Sequence, residues 1–166
     1  MHSLSLNEKS KIHAVYVAIF DLPYTIQRKT MLLTTLMGGA DWSWRVVGIT
    51  VRALEALSAS NYRYTKGTIC RAHVIARIDT ARRVFEIPAP LTIEELFDLF
   101  WANDRTVITT KSENTTGGKT PKSLPIEFMN GLFKNNGLVG FKFRKKEADF
   151  LRTLHEAYKA GAVSEE

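Results

Sequence analysis

Hydrophobic side chains near the start of the chain recur at steps of three and four residues, the spacing of a buried stripe on an α-helix. The first stripe consists of Ile12, Val15, Tyr16, Ile19 and Phe20. Ser5 and Glu8 precede it with the spacing of a capping box, in which each side chain satisfies a backbone amide of the other residue. A second stripe consists of Ile26, Leu33, Leu36 and Met37. Pro23 separates the stripes, so the pattern predicts two antiparallel helices.

The next segment changes to β-branched residues. Residues 45–50 read RVVGIT, which indicates a short strand, and Thr50 can cap a helix that carries Leu54 and Leu57. A short helix after a helix pair also leaves a helix-turn-helix interpretation open. Thr92 and Glu95 form a second capping box before the clearest amphipathic helix of the chain, and residues 106–110 predict a strand.

The segment around His73 supports two interpretations. Val74, Ile78, Ala81 and Phe85 recur at helical spacing, which favours one continuous helix. The alternative is a strand over residues 68–76 followed by a helix over residues 79–86. We predict the second arrangement.

The last third of the chain predicts a loop, two strands and a helix. Residues 115–122 are polar and contain two glycines, which is typical of a mobile loop. Residues 124–128 and 138–143 resemble strands joined by Asn-Gly turns, and the final helix follows Arg144. The whole pattern predicts one α+β domain over residues 1–166, with terminal helices, a small and mostly antiparallel sheet, and frayed ends at residues 1–5 and 161–166.

Composition narrows the class of protein. The chain has 166 residues, of which 45% are hydrophobic and 24% are charged, so a folded domain with its own core is expected. Cys70 is the only cysteine, which excludes an internal disulfide and a zinc site with two thiolates. Without a secretory pattern or a long apolar run, the expected location is cytoplasmic.

Charge is distributed in blocks. The net charge is +6, and the acidic stretch at residues 86–104, with five acids and no base, separates two basic blocks. In residues 41–85 eight bases face three acids, and in residues 105–146 nine bases face two. A basic surface suits a polyanion, because bound phosphates release condensed counterions. Solubility alone is the alternative explanation of the charge.

Residues 71–77 (RAHVIAR), followed by Asn103-Asp104-Arg105 and the TTKSEN run that ends at Asn114, resemble the His-Asn-His nucleases of the ββα-metal class. The resemblance implies a metal-dependent endonuclease that cleaves DNA with Mg²⁺ or another divalent ion. It assigns His73 as general base, Asn103 as the residue that orients the water, and Asn114 as a metal ligand. This chain has Ala72 where the family has an acid, so Asp104 or Asp79 would supply the carboxylate.

Basic side chains supply the other expected roles. Arg77 would compensate charge on the reacting phosphate. The expected contacts to nucleic acid are Arg63, Lys66, Arg71, Arg82, Arg83, Lys119, Lys122, Arg144, Lys145 and Lys146.

Alternatives to the nuclease and to its site residues stay open. The chain could bind nucleic acid without cleaving it, through residues 45–66 and 142–146, or it could be a protein-interaction domain. His73 could be a partly buried histidine bonded to a carbonyl, and Cys70 a small core residue. The residues around Asn103 could form an ordinary helix exit.

Overall fold

The computed structural model describes residues 4–39, 42–64, 67–115, 121–127, 131–136, 140–141 and 143–165. These residues form an α+β fold with a helix at each end, as the sequence predicts. The helices are α1 (Leu6–Phe20), α2 (Ile26–Met37), α3 (Val51–Ala59), α4 (Arg77–Phe85), α5 (Ile93–Asn103), α6 (Lys111–Thr115) and α7 (Lys145–Lys159). The strands are β1 (Arg45–Ile49), β2 (Ile69–His73), β3 (Arg105–Thr110), β4 (Leu124–Pro125), β5 (Asn135–Asn136) and β6 (Gly140–Phe141).

Side-chain caps fix the starts of the predicted helices. The Ser5 and Glu8 capping box begins α1, and the Thr92 box begins α5. Thr25 and Thr50 cap α2 and α3 by accepting hydrogen bonds from backbone amides in the first turn. These interactions satisfy amides that have no partner within the helix, so the capping pattern locates the helix starts correctly.

The main sheet is mixed. Its strand order is β2-β3-β1-β4, with β1 parallel to β3 and the other two pairings antiparallel. The predicted sheet is therefore mostly antiparallel by pairing, but it contains a parallel pair at its centre. Parallel neighbours need a long crossover, and the chain between β1 and β3 supplies one that contains α3, β2, α4 and α5.

The segment around His73 divides into a strand and a helix, which confirms the predicted arrangement. β2 ends at His73, and α4 begins at Arg77. The helical spacing of Ala81 and Phe85 belongs to α4 alone, whose buried residues pack against other helices. The helix-turn-helix interpretation does not describe this chain, because β1 separates α2 from α3.

Buried residues form two clusters. One contains the sheet with α3 and α7, and the inward positions predicted for α7, Leu151, Leu154 and Tyr158, belong to it. The other is built from α1, α2, α4 and α5, with Tyr16 at its centre. The end of the sheet at which β2 finishes and β3 begins meets this helical cluster, and a pocket lies there.

The last third of the chain is only partly described. Of the strand predicted over residues 124–128, β4 contains Leu124 and Pro125, and the Ile126 backbone N–H still donates to the Val47 carbonyl at 2.9 Å; residue 128 lies outside the described residues. Most of the predicted loop at residues 115–122 and half of the predicted strand at residues 138–143 lie outside the described residues. Among the described helices, none combines the length and apolar character that a membrane crossing requires.

Candidate functional site

A small pocket lies where the helical cluster meets the end of the sheet. Leu33, Thr34 and Gly38 of the α2 region and Phe100 of α5 form its apolar side. Its polar side consists of Trp44, His73, Arg77, Thr80, Asn103 and Asp104. The interior volume of about 20 Å³ holds a water molecule or one oxygen of a larger ligand, but not a nucleobase.

Three elements end at this pocket and bring distant residues together. His73 is the last residue of β2 and pairs with Thr106 near the start of β3. Asn103 ends α5, and Asp104 links that helix to β3. Four of the residues singled out from the sequence, His73, Arg77, Asn103 and Asp104, therefore line one pocket.

The His73 ring is held by an aromatic contact. Its centroid lies 4.4 Å from the Trp44 ring, with an angle of 73° between the planes. Among the residues that the structure describes, the imidazole has no hydrogen-bond partner, so the expected alternative of a carbonyl-bonded histidine is not what is observed. Burial, together with the positive charges of Arg77 and Arg71, lowers the pKa of His73 to about 4. The ring is consequently neutral at pH 7.

The Asn103 side chain carries an unsatisfied donor. Asn103 is 5% exposed, and its Nδ2 atom has no hydrogen-bond partner. A buried amide donor without an acceptor costs on the order of 1–3 kcal/mol. Asn103 lines the pocket, so this amide is available to a group with an acceptor oxygen.

Asp104 is the one carboxylate among the residues that line the pocket. It is 5% exposed, and its Oδ2 accepts a hydrogen bond of 2.6 Å from the Trp44 backbone N–H. Burial raises the pKa of Asp104 to about 6, although this hydrogen bond and the charges of Arg45 and Arg71 act in the opposite direction. The carboxyl group is therefore mostly ionised at pH 7.

Arginines surround this carboxylate and stack on tryptophans. The Arg71 guanidinium lies 4.7 Å from the Trp44 ring centroid, and burial lowers the pKa of Arg71 to about 10. Arg45 lies 3.9 Å from the Trp101 ring and donates to the Trp101 carbonyl. Arg45 and Arg71 act on the Asp104 carboxylate, and Arg77 lines the same pocket, so positive charge exceeds negative charge here and the region is suited to an anion.

Asn114 does not join this pocket. Asp104 directly precedes β3, whereas Asn114 lies in α6 beyond the far end of that strand. Six strand residues span about 20 Å, so the two side chains cannot bind one metal ion. Within the described part of the chain, no group of three His, Cys, Asp or Glu side chains could hold a metal.

The neighbouring TTKSEN residues have a structural role. The Glu113 carboxylate accepts hydrogen bonds from the Thr110 backbone N–H at 2.9 Å and from the Thr50 hydroxyl at 2.9 Å. These bonds tie the start of α6 to the start of α3. Asp79, the other carboxylate considered for the metal, pairs with Arg82 at 3.1 Å on the surface of α4.

The basic residues expected to contact nucleic acid fall in separate places. Exposed positions are Arg63 after α3, Arg82 and Arg83 on α4, Lys122 before β4, and Arg144, Lys145 and Lys146 at the start of α7. Arg71 is buried against Trp44, a residue of the pocket wall, and does not lie on the surface. Lys66 and Lys119 lie outside the described residues.

Sequence reasoning missed Trp44, Arg45 and Trp101. Trp44 lies in the WSWR run at residues 42–45, where two tryptophans next to an arginine directly before a strand are the available signal. Its backbone angle φ of 58° lies in the left-handed region, which no pattern predicts for tryptophan. Cys70 makes a contact of 3.4 Å between its Sγ and the Thr109 hydroxyl.

Comparisons of the chain with protein-family models, with curated proteins and with solved structures found no match.

Proposed function

We propose that the protein is an endonuclease that hydrolyses phosphodiester bonds of nucleic acid, with DNA as the expected substrate and His73 as the general base. The observation that carries the proposal is the combination, in one small pocket, of a neutral imidazole without a hydrogen-bond partner and a buried amide donor without an acceptor. The positive surroundings supply the attraction for a phosphate.

Three side chains of the pocket have separate roles in the proposed reaction. His73 takes a proton from a water molecule whose oxygen attacks the phosphorus. The bond from phosphorus to the leaving oxygen breaks, and that oxygen takes a proton from solvent. The Asn103 amide donates to a non-bridging phosphate oxygen, and the Arg77 guanidinium offsets the charge that grows there. The interior of the pocket admits one oxygen, either that of the water or that of the phosphate.

Substrate binding strengthens the base. A pKa near 4 makes the His73 imidazole a weak base in the ligand-free protein. Burial is the main cause of this low pKa, and the charges of Arg77 and Arg71 add to it; a bound phosphate would offset those two charges. We therefore expect the pKa of His73 to rise when a phosphodiester binds.

Asp104 and the amide oxygen of Asn103 would hold a Mg²⁺ ion together with water and phosphate oxygens, the ligand set usual for this ion. When bound, the ion would neutralise negative charge that develops on the phosphate. Arg45 and Arg71 oppose a cation next to Asp104, so we expect metal to bind appreciably only when nucleic acid is present.

Binding of nucleic acid without cleavage is the second candidate. The exposed Arg83 and the three basic residues at the start of α7 favour it, because surface cations of this kind contact phosphates without performing chemistry. In this case binding would weaken steeply with salt and no product would form.

Plasmid cleavage separates the two candidates. The wild type, His73→Ala and a histidine control, His13→Gln, are incubated with plasmid DNA and with RNA in Mg²⁺, Mn²⁺ or EDTA. His13 lies on α1 and is not among the residues that line the pocket; its Nε2 donates to the Leu91 carbonyl, and a glutamine amide can keep that donor. Cleavage lost only in His73→Ala supports the nuclease. Equal cleavage by His73→Ala contradicts it, and a shifted but intact band for all three proteins supports the binding module.

A further inference from the structure

We propose that Trp44 is the positioning residue of this site, and that its indole ring holds the His73 imidazole and the Arg77 guanidinium in their working orientation. The inference rests on the proposed function for its role in catalysis. Its structural part, the control of His73 by Trp44, can be tested without any reaction.

The ring contacts of Trp44 support this role. His73 meets the indole edge to face at 4.4 Å, and the Arg77 guanidinium lies 5.5 Å from its centroid. Among the described residues, neither side chain has a hydrogen bond or an ion pair that could orient it instead. Arg71 lies 4.7 Å from the same ring. One aromatic side chain thus contacts the proposed base and two of the cations around it.

The backbone of Trp44 is held in a conformation that tryptophan rarely adopts. Its φ of 58° is sterically unfavourable for a residue with a large side chain. Three hydrogen bonds maintain it. The backbone N–H donates to Asp104, and the carbonyl accepts from the Thr106 hydroxyl at 3.1 Å and from Arg71 at 3.3 Å. Residues that keep such strain cluster at functional sites, where the surrounding structure fixes them.

The strain gives a way to separate folding from function. Asparagine tolerates the left-handed region better than tryptophan does, so Trp44→Asn keeps the backbone conformation and removes the ring. Trp44→Phe and Trp44→Leu are compared with each other. Both residues are similarly unfavourable in the left-handed conformation, but only phenylalanine keeps an aromatic ring. Trp42→Phe is the control, because the Trp42 ring packs on Phe100 of the helical cluster, with 6.0 Å between the ring centroids.

The first experiment is an NMR titration of the His73 ring protons in the ligand-free proteins. We expect the pKa of His73 to rise from about 4 toward 6.5 in Trp44→Asn, because removal of the indole admits water to the ring. The Trp42→Phe control should titrate like the wild type. A pKa of His73 in Trp44→Asn equal to that in the wild type would overturn the inference. If Trp44→Asn does not fold, Trp44→Leu decides the same question.

The second experiment measures kcat and KM for cleavage. Trp44→Asn and Trp44→Leu should lose at least tenfold in kcat, Trp44→Phe should keep most of it, and Trp44→Asn should melt no earlier than the wild type. Wild-type kcat in Trp44→Leu would contradict the positioning role. If the wild type itself does not cleave nucleic acid, the proposed function fails, and the His73 titration still decides whether Trp44 controls the histidine.

Discussion

Replacing Asp104 by asparagine tests the electrostatics of the pocket through the pH dependence of stability. Burial raises the pKa of Asp104 from 3.8 to about 6 and lowers the pKa of His73 from 6.5 to about 4. At about 1.4 kcal/mol per pH unit, each shift corresponds to about 3 kcal/mol of free energy of unfolding.

The two contributions have opposite signs. Between pH 6 and pH 4 the folded protein binds the Asp104 proton more tightly than the unfolded chain does, so acidification stabilises the fold through this group. Over almost the same range the unfolded chain binds the His73 proton more tightly, so acidification destabilises the fold through His73. In the wild type the two effects nearly cancel.

Each variant removes one of these two contributions to the pH dependence of stability. Relative to the wild type, Asp104→Asn should lose about 3 kcal/mol of stability between pH 6.5 and pH 4, and His73→Gln should gain about the same amount. Urea unfolding of the three proteins at several pH values measures both differences, and the titration of all other groups cancels in the subtraction. Difference curves that are flat, or that slope in the same direction for both variants, would refute the burial of these groups.

Three further outcomes follow from the same contacts. The cleavage rate should rise as pH increases from 5 to 7, because Asp104 must be ionised and His73 neutral; a pH-rate profile that falls over this range would contradict their roles. Asn103→Leu should abolish cleavage, which the activity assay checks. It should destabilise the fold by less than about 1 kcal/mol, or stabilise it, because an unsatisfied buried amide is removed, and thermal unfolding checks this part. Thr92→Ala should cost about 1 kcal/mol in urea unfolding without changing activity, because it removes the cap of α5; an unchanged unfolding midpoint would be inconsistent with the capping box.

Local signals explain how much of the fold could be predicted. Capping residues and apolar periodicity act within one or two turns of chain, so α1, α2, α3 and α5 begin where Ser5, Thr25, Thr50 and Thr92 indicate. The parallel pairing of β1 with β3 depends on a crossover of more than fifty residues. No local pattern specifies which strands become neighbours across such a distance.

The candidate site was predictable only in part for the same reason. His73, Asn103 and Asp104 carry recognisable chemistry, and the fold brings them to one pocket. Asn114 shares their sequence neighbourhood, but the length of β3 places it at the other end of the sheet. Trp44 gains its place from a left-handed backbone and from hydrogen bonds to Asp104 and Thr106, which are contacts that only the tertiary structure creates.

In the proposed reaction, His73 removes the proton from the attacking water. Single-turnover cleavage of an end-labelled DNA oligonucleotide with Mg²⁺ tests it most directly, with excess enzyme so that weaker binding does not limit the rate. We expect His73→Ala to lower the rate constant by a factor of about 10² to 10⁴, the usual contribution of a general base, while the complex still forms. A His73→Ala rate within twofold of the wild type would contradict it.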